Sequence, residues 1–185
     1  MKNLRFLALL CAIFITSFLN AQNVDSIQVV TIDKTSLGLG IGMDHGGFGA
    51  NFMYCPTQSV GLFAGAGYAI AGLGINAGVK VRFISKSPSA KASAFGLLMY
   101  GYNAAIGVSN AREYNKLFYG PTLGVGMDLR SPKNKKGYWS VALLLPIRSS
   151  DVNDYMDDLE SYHGVEFKTG LVPVGISVGY RFIIN

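Results

Sequence analysis

The amino-acid sequence predicts an all-β protein, an antiparallel up-and-down transmembrane β-barrel of eight strands with a short helix in its last long loop. Three observations lead there. From Ser36 onward, apolar residues alternate with glycine or polar residues at a period of two, which is the strand signature. Only 15% of the residues are charged, against roughly 25% in ordinary globular chains. Glycine supplies 23 of 185 residues without a collagen repeat, and glycine inside a helix costs about 1 kcal/mol relative to alanine. Low charge also argues against disorder and against nucleic-acid binding, both of which need many exposed charges.

The first 21 residues have the layout of a secretory signal peptide. Lys2 and Arg5 precede an apolar run over residues 6–19, and Asn20-Ala21 offer a cleavage point before Gln22. The run is shorter than the roughly 20 residues a helix needs to span a bilayer. Cleavage after Ala21 lowers the net charge from +5 to +3 and leaves Cys55 as the one cysteine, so no internal disulfide can form. Residues 22–35 read as a periplasmic tail and residues 36–185 as the barrel.

The strands follow in order. In residues 36–44, Leu37, Leu39, Ile41 and Met43 take one face and Gly38, Gly40 and Gly42 the other. Residues 48–55 set Phe48, Phe52 and Tyr54 against Gly49, Asn51 and Met53, and residues 60–71 set Leu62, Tyr68 and Ile70 against Gly61, Gly65 and Gly67. Residues 73–83 oppose Ile75, Val79, Val81 and Phe83 to Gly74, Gly78, Lys80 and Arg82. Residues 94–108 form a fifth strand whose faces the pattern does not assign. Residues 118–130 oppose Tyr119, Leu123, Val125, Met127 and Leu129 to Gly120, Gly124, Gly126, Asp128 and Arg130. Residues 138–148 place Trp139, Val141, Leu143, Leu145 and Ile147 on one face. Residues 167–183 oppose Val172, Val174, Ile176, Val178, Tyr180 and Phe182 to Gly175, Ser177, Gly179 and Arg181.

The apolar face points into a soluble core or out into lipid, and the opposite face decides between them. A water-facing sheet would carry Lys, Glu, Thr and Ser; here that face is mostly glycine. Five strand charges, Lys80, Arg82, Asp128, Arg130 and Arg181, share the glycine parity. A basic side chain facing lipid costs about 2–4 kcal/mol at the bilayer midplane, so these five are expected to form a polar network in the lumen. Four are basic and one acidic, which predicts a positive interior. An eight-stranded barrel is just wide enough to be filled by side chains, which accounts for glycine among them. Tyr54, Phe83, Trp139, Tyr180 and Phe182 cluster at one strand end as candidate membrane-interface aromatics, with Phe48, Tyr68 and Tyr119 toward the other.

Two stretches match a known class. The ending Val178-Gly179-Tyr180-Arg181-Phe182 resembles the C-terminal strand by which Gram-negative outer-membrane barrels are recognised for assembly, although Ile183, Ile184 and Asn185 follow the aromatic. Residues 61–68 and 119–126 are similar to strands of the small Gram-negative outer-membrane β-barrel domain family, over residues 36–183. The resemblance implies an outer-membrane location, contact with outer-membrane lipid, and assembly through the last strand. It implies no single activity, since members serve as anchors, adhesins, narrow pores or, occasionally, lipid-modifying enzymes.

Chemistry-bearing residues are few, and the sequence points to no cofactor. Residues 150–162 have a helical period, with Val152, Tyr155, Met156, Leu159 and Tyr162 on one face and Ser150 as N-cap. Its carboxylates lack calcium-loop spacing and read as solvated. His163 with Ser161, Glu160 and Glu166, and His45 beside Asp44, could supply a hydrolase triad, but neither histidine lies in a recognisable motif. Two histidines and one cysteine make a poor zinc set. Gly38 to Gly42 lacks the spacing of a phosphate loop. The sequence therefore favours a structural or interaction barrel without catalysis. Behind it stand a narrow pore with a basic lumen, a lipid-modifying enzyme, and a soluble ligand-binding β-domain.

Overall fold

The computed structural model describes residues 33–83, 92–108, 111–131, 136–163 and 171–184. The segment read as a signal peptide, the tail through residue 32, and the connections carrying Lys86, Lys91, Lys133 and Lys135 lie outside the described residues. Within them, eight strands pair in sequence order and close into an antiparallel up-and-down barrel. The strands are β1 (Thr35–Gly42), β2 (Gly47–Tyr54), β3 (Val60–Ala69), β4 (Gly72–Phe83), β5 (Ala92–Ile106), β6 (Lys116–Arg130), β7 (Gly137–Pro146) and β8 (Gly175–Ile183). Closure comes from β1 pairing with β8, in the register Ser36 to Ile183 through Ile41 to Val178. Helix α1 (Asp151–His163) fills the connection between β7 and β8. Two ends follow from the topology: a terminal end, where the chain enters β1 and leaves β8, and a distal end, where α1 lies.

The alternation is realised as expected in seven strands. Leu39, Phe52, Leu62, Ile75, Val125, Leu143 and Val178 point outward and are exposed, whereas Met53, Lys80, Arg82, Asp128, Leu144 and Arg181 are buried inside. The fifth strand shows why its pattern was ambiguous. Phe95, Leu97 and Met99 point inward, Leu98 and Tyr100 outward, and both sets are apolar. A bulge then places Asn103 between the pairs Tyr102–Tyr119 and Ala104–Phe118. The extra residue reverses the parity, so Ala104 and Ile106 are the buried ones beyond it, and Tyr102 just before it is buried as well. Asn103 uses the bulge to donate to the Ile147 carbonyl at 2.9 Å.

Four expectations are corrected. The last strand begins at Gly175, so Val172 and Val174 precede it. Met43 does not continue the outer face of β1. Instead Met43–His45 form a 3-10 turn closed by the Gly46 amide on the Met43 carbonyl at 2.9 Å, and Met43 packs on the apolar cluster inside the barrel. On α1, Val152 and Leu159 are buried against Ala104 and Ile106, with Tyr155 and Met156 beside them. Tyr162, however, is 81% exposed. The hydroxyl at the helix start that accepts an amide bond is that of Ser149, from Asp151 at 3.3 Å, not that of Ser150.

The glycines explain how the first turn fits inside. Gly46 has φ of 74°, a left-handed conformation that glycine adopts without steric cost. The His45 ring lies against β1 and β8 where they carry no side chain: a methyl group on Gly179 would stand 2.6 Å from Nε2, and one on Gly40 2.9 Å. A methyl on Gly65 would strike the Asp44 carbonyl. Gly65→Ala is therefore expected to lower stability by about 1–3 kcal/mol. Gly96→Ala, whose methyl would meet nothing closer than 3.9 Å, is expected to be neutral. Thermal unfolding of the two variants checks the pair.

Candidate functional site

The interior holds an apolar cluster and a network of charges. Met53, Phe63, Phe95, Leu97, Met99 and Leu144 pack together with Cys55, the unpaired cysteine, and Ala142. Around them run the hydrogen-bonded polar groups that a closed core requires. A cavity of about 10 Å³ remains, lined by residues including Asp44, Asn51, Lys80, Ser140 and Arg181. That is room for about one water molecule.

Of the predicted lumen residues, Lys80, Arg82, Asp128 and Arg130 meet in one network. Lys80 Nζ lies 2.7 Å from Asp128 Oδ1 and 3.5 Å from the centre of the Phe95 ring. Ser140 donates to the same carboxylate oxygen at 2.8 Å. Arg82 Nε reaches the other oxygen of Asp128 at 3.3 Å. Its two terminal nitrogens grip Asp33, Nη1 on Oδ1 and Nη2 on Oδ2, both at 2.9 Å. Arg130 adds a bond to Asp33 Oδ1 at 3.0 Å, and the Tyr138 hydroxyl donates to Oδ2 at 2.8 Å while accepting from Arg82. The Arg130 guanidinium lies over the Tyr138 ring at 4.5 Å.

Arg181 stands apart from that network. It donates to Ser36 at 3.3 Å and to Asn51. Asn51 in turn donates to the backbone carbonyl of Asp44. The Asp44 side chain accepts from Ser177 and lies 3.1 Å from His45 Nδ1. Asn76 fastens the turn from another wall by donating to the Met43 carbonyl.

Two readings from the sequence change. The interior is less positive than expected, because three carboxylates, Asp33, Asp44 and Asp128, are buried with Lys80, Arg82 and Arg181 and the less buried Arg130. His45 does not reach the surface: it is 1% exposed, and its Nε2 faces glycine backbone instead of a nucleophile. Ser161 is exposed on α1, and the side chain of His163 lies outside the described residues. Among the described residues, no three His, Cys, Asp or Glu side chains are grouped as a metal site would need.

Asp33 was missed for a physical reason. It shares the odd numbering of the outward Leu37 and Leu39, but a bend at Lys34 turns it inward. Tyr138 and Ser140 were missed as well, although their alternation with the outward Trp139 is a signal that places them inside. The five predicted interface aromatics all sit on β-strand ends of the terminal side, with Trp139 and Tyr180 edge-to-face at 5.3 Å and Tyr180 and Phe182 at 4.9 Å. Phe48 and Tyr68 are paired at the distal end.

No protein-family model matches the chain, and no curated protein matches it. Among solved structures it is similar to a chain described as "De novo design of transmembrane beta-barrels", with 11% identity and a TM-score of 0.47, over 84% of this chain and 98% of that one.

Burial works to raise the Asp33 carboxyl, but the charge and bonds of Arg82, with Arg130 and Tyr138, hold it at about 2. An unfolded aspartate titrates near 3.9, so the folded value is the lower one and the contribution to stability is about 2 kcal/mol above about pH 4. That contribution disappears as pH falls toward 2. The thermal midpoint of the wild-type barrel is expected to drop over this window, and Asp33→Asn is expected to lack that part of the drop. Asp128→Asn leaves Lys80 and Arg82 short of a buried counter-charge and is expected to cost about 3–5 kcal/mol, measured by denaturant unfolding.

Proposed function

We propose that the chain is a bacterial outer-membrane β-barrel with a structural or interaction role, exported by cleavage near Ala21 and inserted through its last strand. The observation that carries this reading is the division of the closed wall into two faces. Its outward residues are almost all apolar and exposed, with aromatic residues at both ends, while Lys80, Arg82, Asp128 and Arg181 are buried inside. A monomeric soluble protein rarely exposes an apolar patch larger than a few hundred Å², whereas a bilayer makes that surface the favourable one.

The filled interior supports a static barrel over a narrow anion-favouring pore, because ions would have to displace packed side chains such as Phe95, Met99 and Leu144. The burial of His45 speaks against a lipid-modifying triad built on that residue. Contact with partners would then fall to the distal end, where α1 presents Asp154, Asp157, Asp158 and Glu160 away from its packed face, and to the tail before β1. The last strand, β8, pairs with both β1 and β7, as a strand recognised by assembly machinery must when the barrel closes.

The test is fractionation and gel mobility of the detergent-extracted protein with and without boiling. Recovery in the outer-membrane fraction with a heat-dependent shift is expected; a protein soluble without detergent would replace this reading with a ligand-binding β-domain. Leu143→Arg places a cation on the outward face and is expected to weaken folding into lipid vesicles by about 2–4 kcal/mol if the residue lies near the midplane. Planar-bilayer recordings are expected to show no channel steps. Steps that change on neutralising Arg130 would favour the pore.

A further inference from the structure

Asp33 is held as a ligand is held. Its carboxylate receives four bonds, two from the fork of Arg82, one from Arg130 and one from Tyr138, at 2.8–3.0 Å. A guanidinium fork matched by two carboxylate oxygens is the geometry proteins use to recognise carboxylates. The residue itself precedes β1 and is not part of the barrel wall. The groups that hold it come from β4, β6 and β7. Arg82 Nε also lies 3.3 Å from Asp128 Oδ2 as an ion pair, and the Arg130 guanidinium lies 4.5 Å over the Tyr138 ring. Without Asp33, that cradle would hold Arg82, Arg130 and Lys80 with Asp128 as the nearby carboxylate, and a buried cation surplus requires an anion.

We propose that Arg82, Arg130 and Tyr138 form a carboxylate receptor at the terminal end of the lumen, filled in cis by Asp33 and able to take a carboxylate from another molecule when Asp33 leaves. The ligand class is an acidic side chain or a chain terminus. The inference rests on the interior geometry and does not depend on which solvent faces the outer wall.

Chemical rescue tests it. Asp33→Gly removes the side chain and leaves space of the size and shape of acetate; Asp33→Ala leaves space for formate. In the full-length protein, purified as extracted, each substitution is expected to lower the thermal midpoint by about 5 °C or more. Acetate with the glycine variant, and formate with the alanine variant, are expected to raise the midpoint progressively with concentration, as a ligand of the folded state does. Sodium chloride at the same ionic strength is expected to have no such effect. Adding Arg130→Ala to either variant is expected to abolish the response. An unchanged midpoint on removing Asp33, equal effects of acetate and chloride, or a response that survives Arg130→Ala would each overturn the receptor. Should the glycine variant not fold, acetate in the refolding buffer is expected to restore the folded band on unboiled gels, and its failure to do so would count against the proposal in the same way.

Discussion

Arg82 lies between two carboxylates, its Nε 3.3 Å from Asp128 as an ion pair and its terminal nitrogens donating to Asp33. Through those contacts one guanidinium joins β4, β6 and the segment ahead of β1, and through Tyr138 it reaches β7. A buried cation is tolerable only when its desolvation is offset by close, well-aligned partners. The interior supplies them: Lys80 and Ser140 both donate to Asp128 Oδ1, Arg82 Nε pairs by charge with Oδ2, and Arg82, Arg130 and Tyr138 donate to Asp33. The charges thus bind distant parts of the chain to one another instead of lining an open channel.

The second constraint is volume. Closing eight strands leaves an interior that side chains must fill without collision. Large groups such as Met53, Phe63 and Phe95 occupy it on one side. On another, the chain fills the space with its own backbone, folding Met43–His45 inward instead of looping it outside. That requires the surrounding walls to be bare, and Gly40, Gly65 and Gly179 are where they are bare. The glycine content is therefore partly an imprint of the inserted turn. The Asp44 carbonyl, the Met43 carbonyl and the Asp44 carboxylate that the turn brings inside accept from Asn51, Asn76 and Ser177, which stand on three different strands.

The outer wall obeys a different rule. Outward positions need only be apolar and able to pack beside their neighbours, so Leu, Ile, Val and Phe recur there without specific partners. Aromatic residues gather where the wall ends, and on the terminal side Trp139, Tyr180 and Phe182 stack edge-to-face across β7 and β8. Beyond the wall, β5 and β6 extend past the barrel to form a small second core with α1, in which Phe118 and Tyr155 meet at 5.7 Å and Tyr155 donates to the Tyr114 carbonyl. This core gives the distal end an ordered surface separate from the barrel interior.

The alternation of residues along each strand was enough to determine the barrel and the side on which Lys80, Arg82, Asp128, Arg130 and Arg181 would lie, because a strand's side chains change face at every residue whatever their surroundings. It also determined α1, whose apolar spacing is local. It failed where geometry departs from that period: at the Asn103 bulge, which reverses the faces of β5; at the bend of Lys34, which turns Asp33 inward; and at the first turn, where residues 36–44 read as one strand but Met43–His45 fold into the barrel. Only the tertiary structure decided which charges meet, because pairing depends on strand register and on the closure of β1 against β8. Period two fixes the face of a residue, but it carries no information about what stands across the barrel from it.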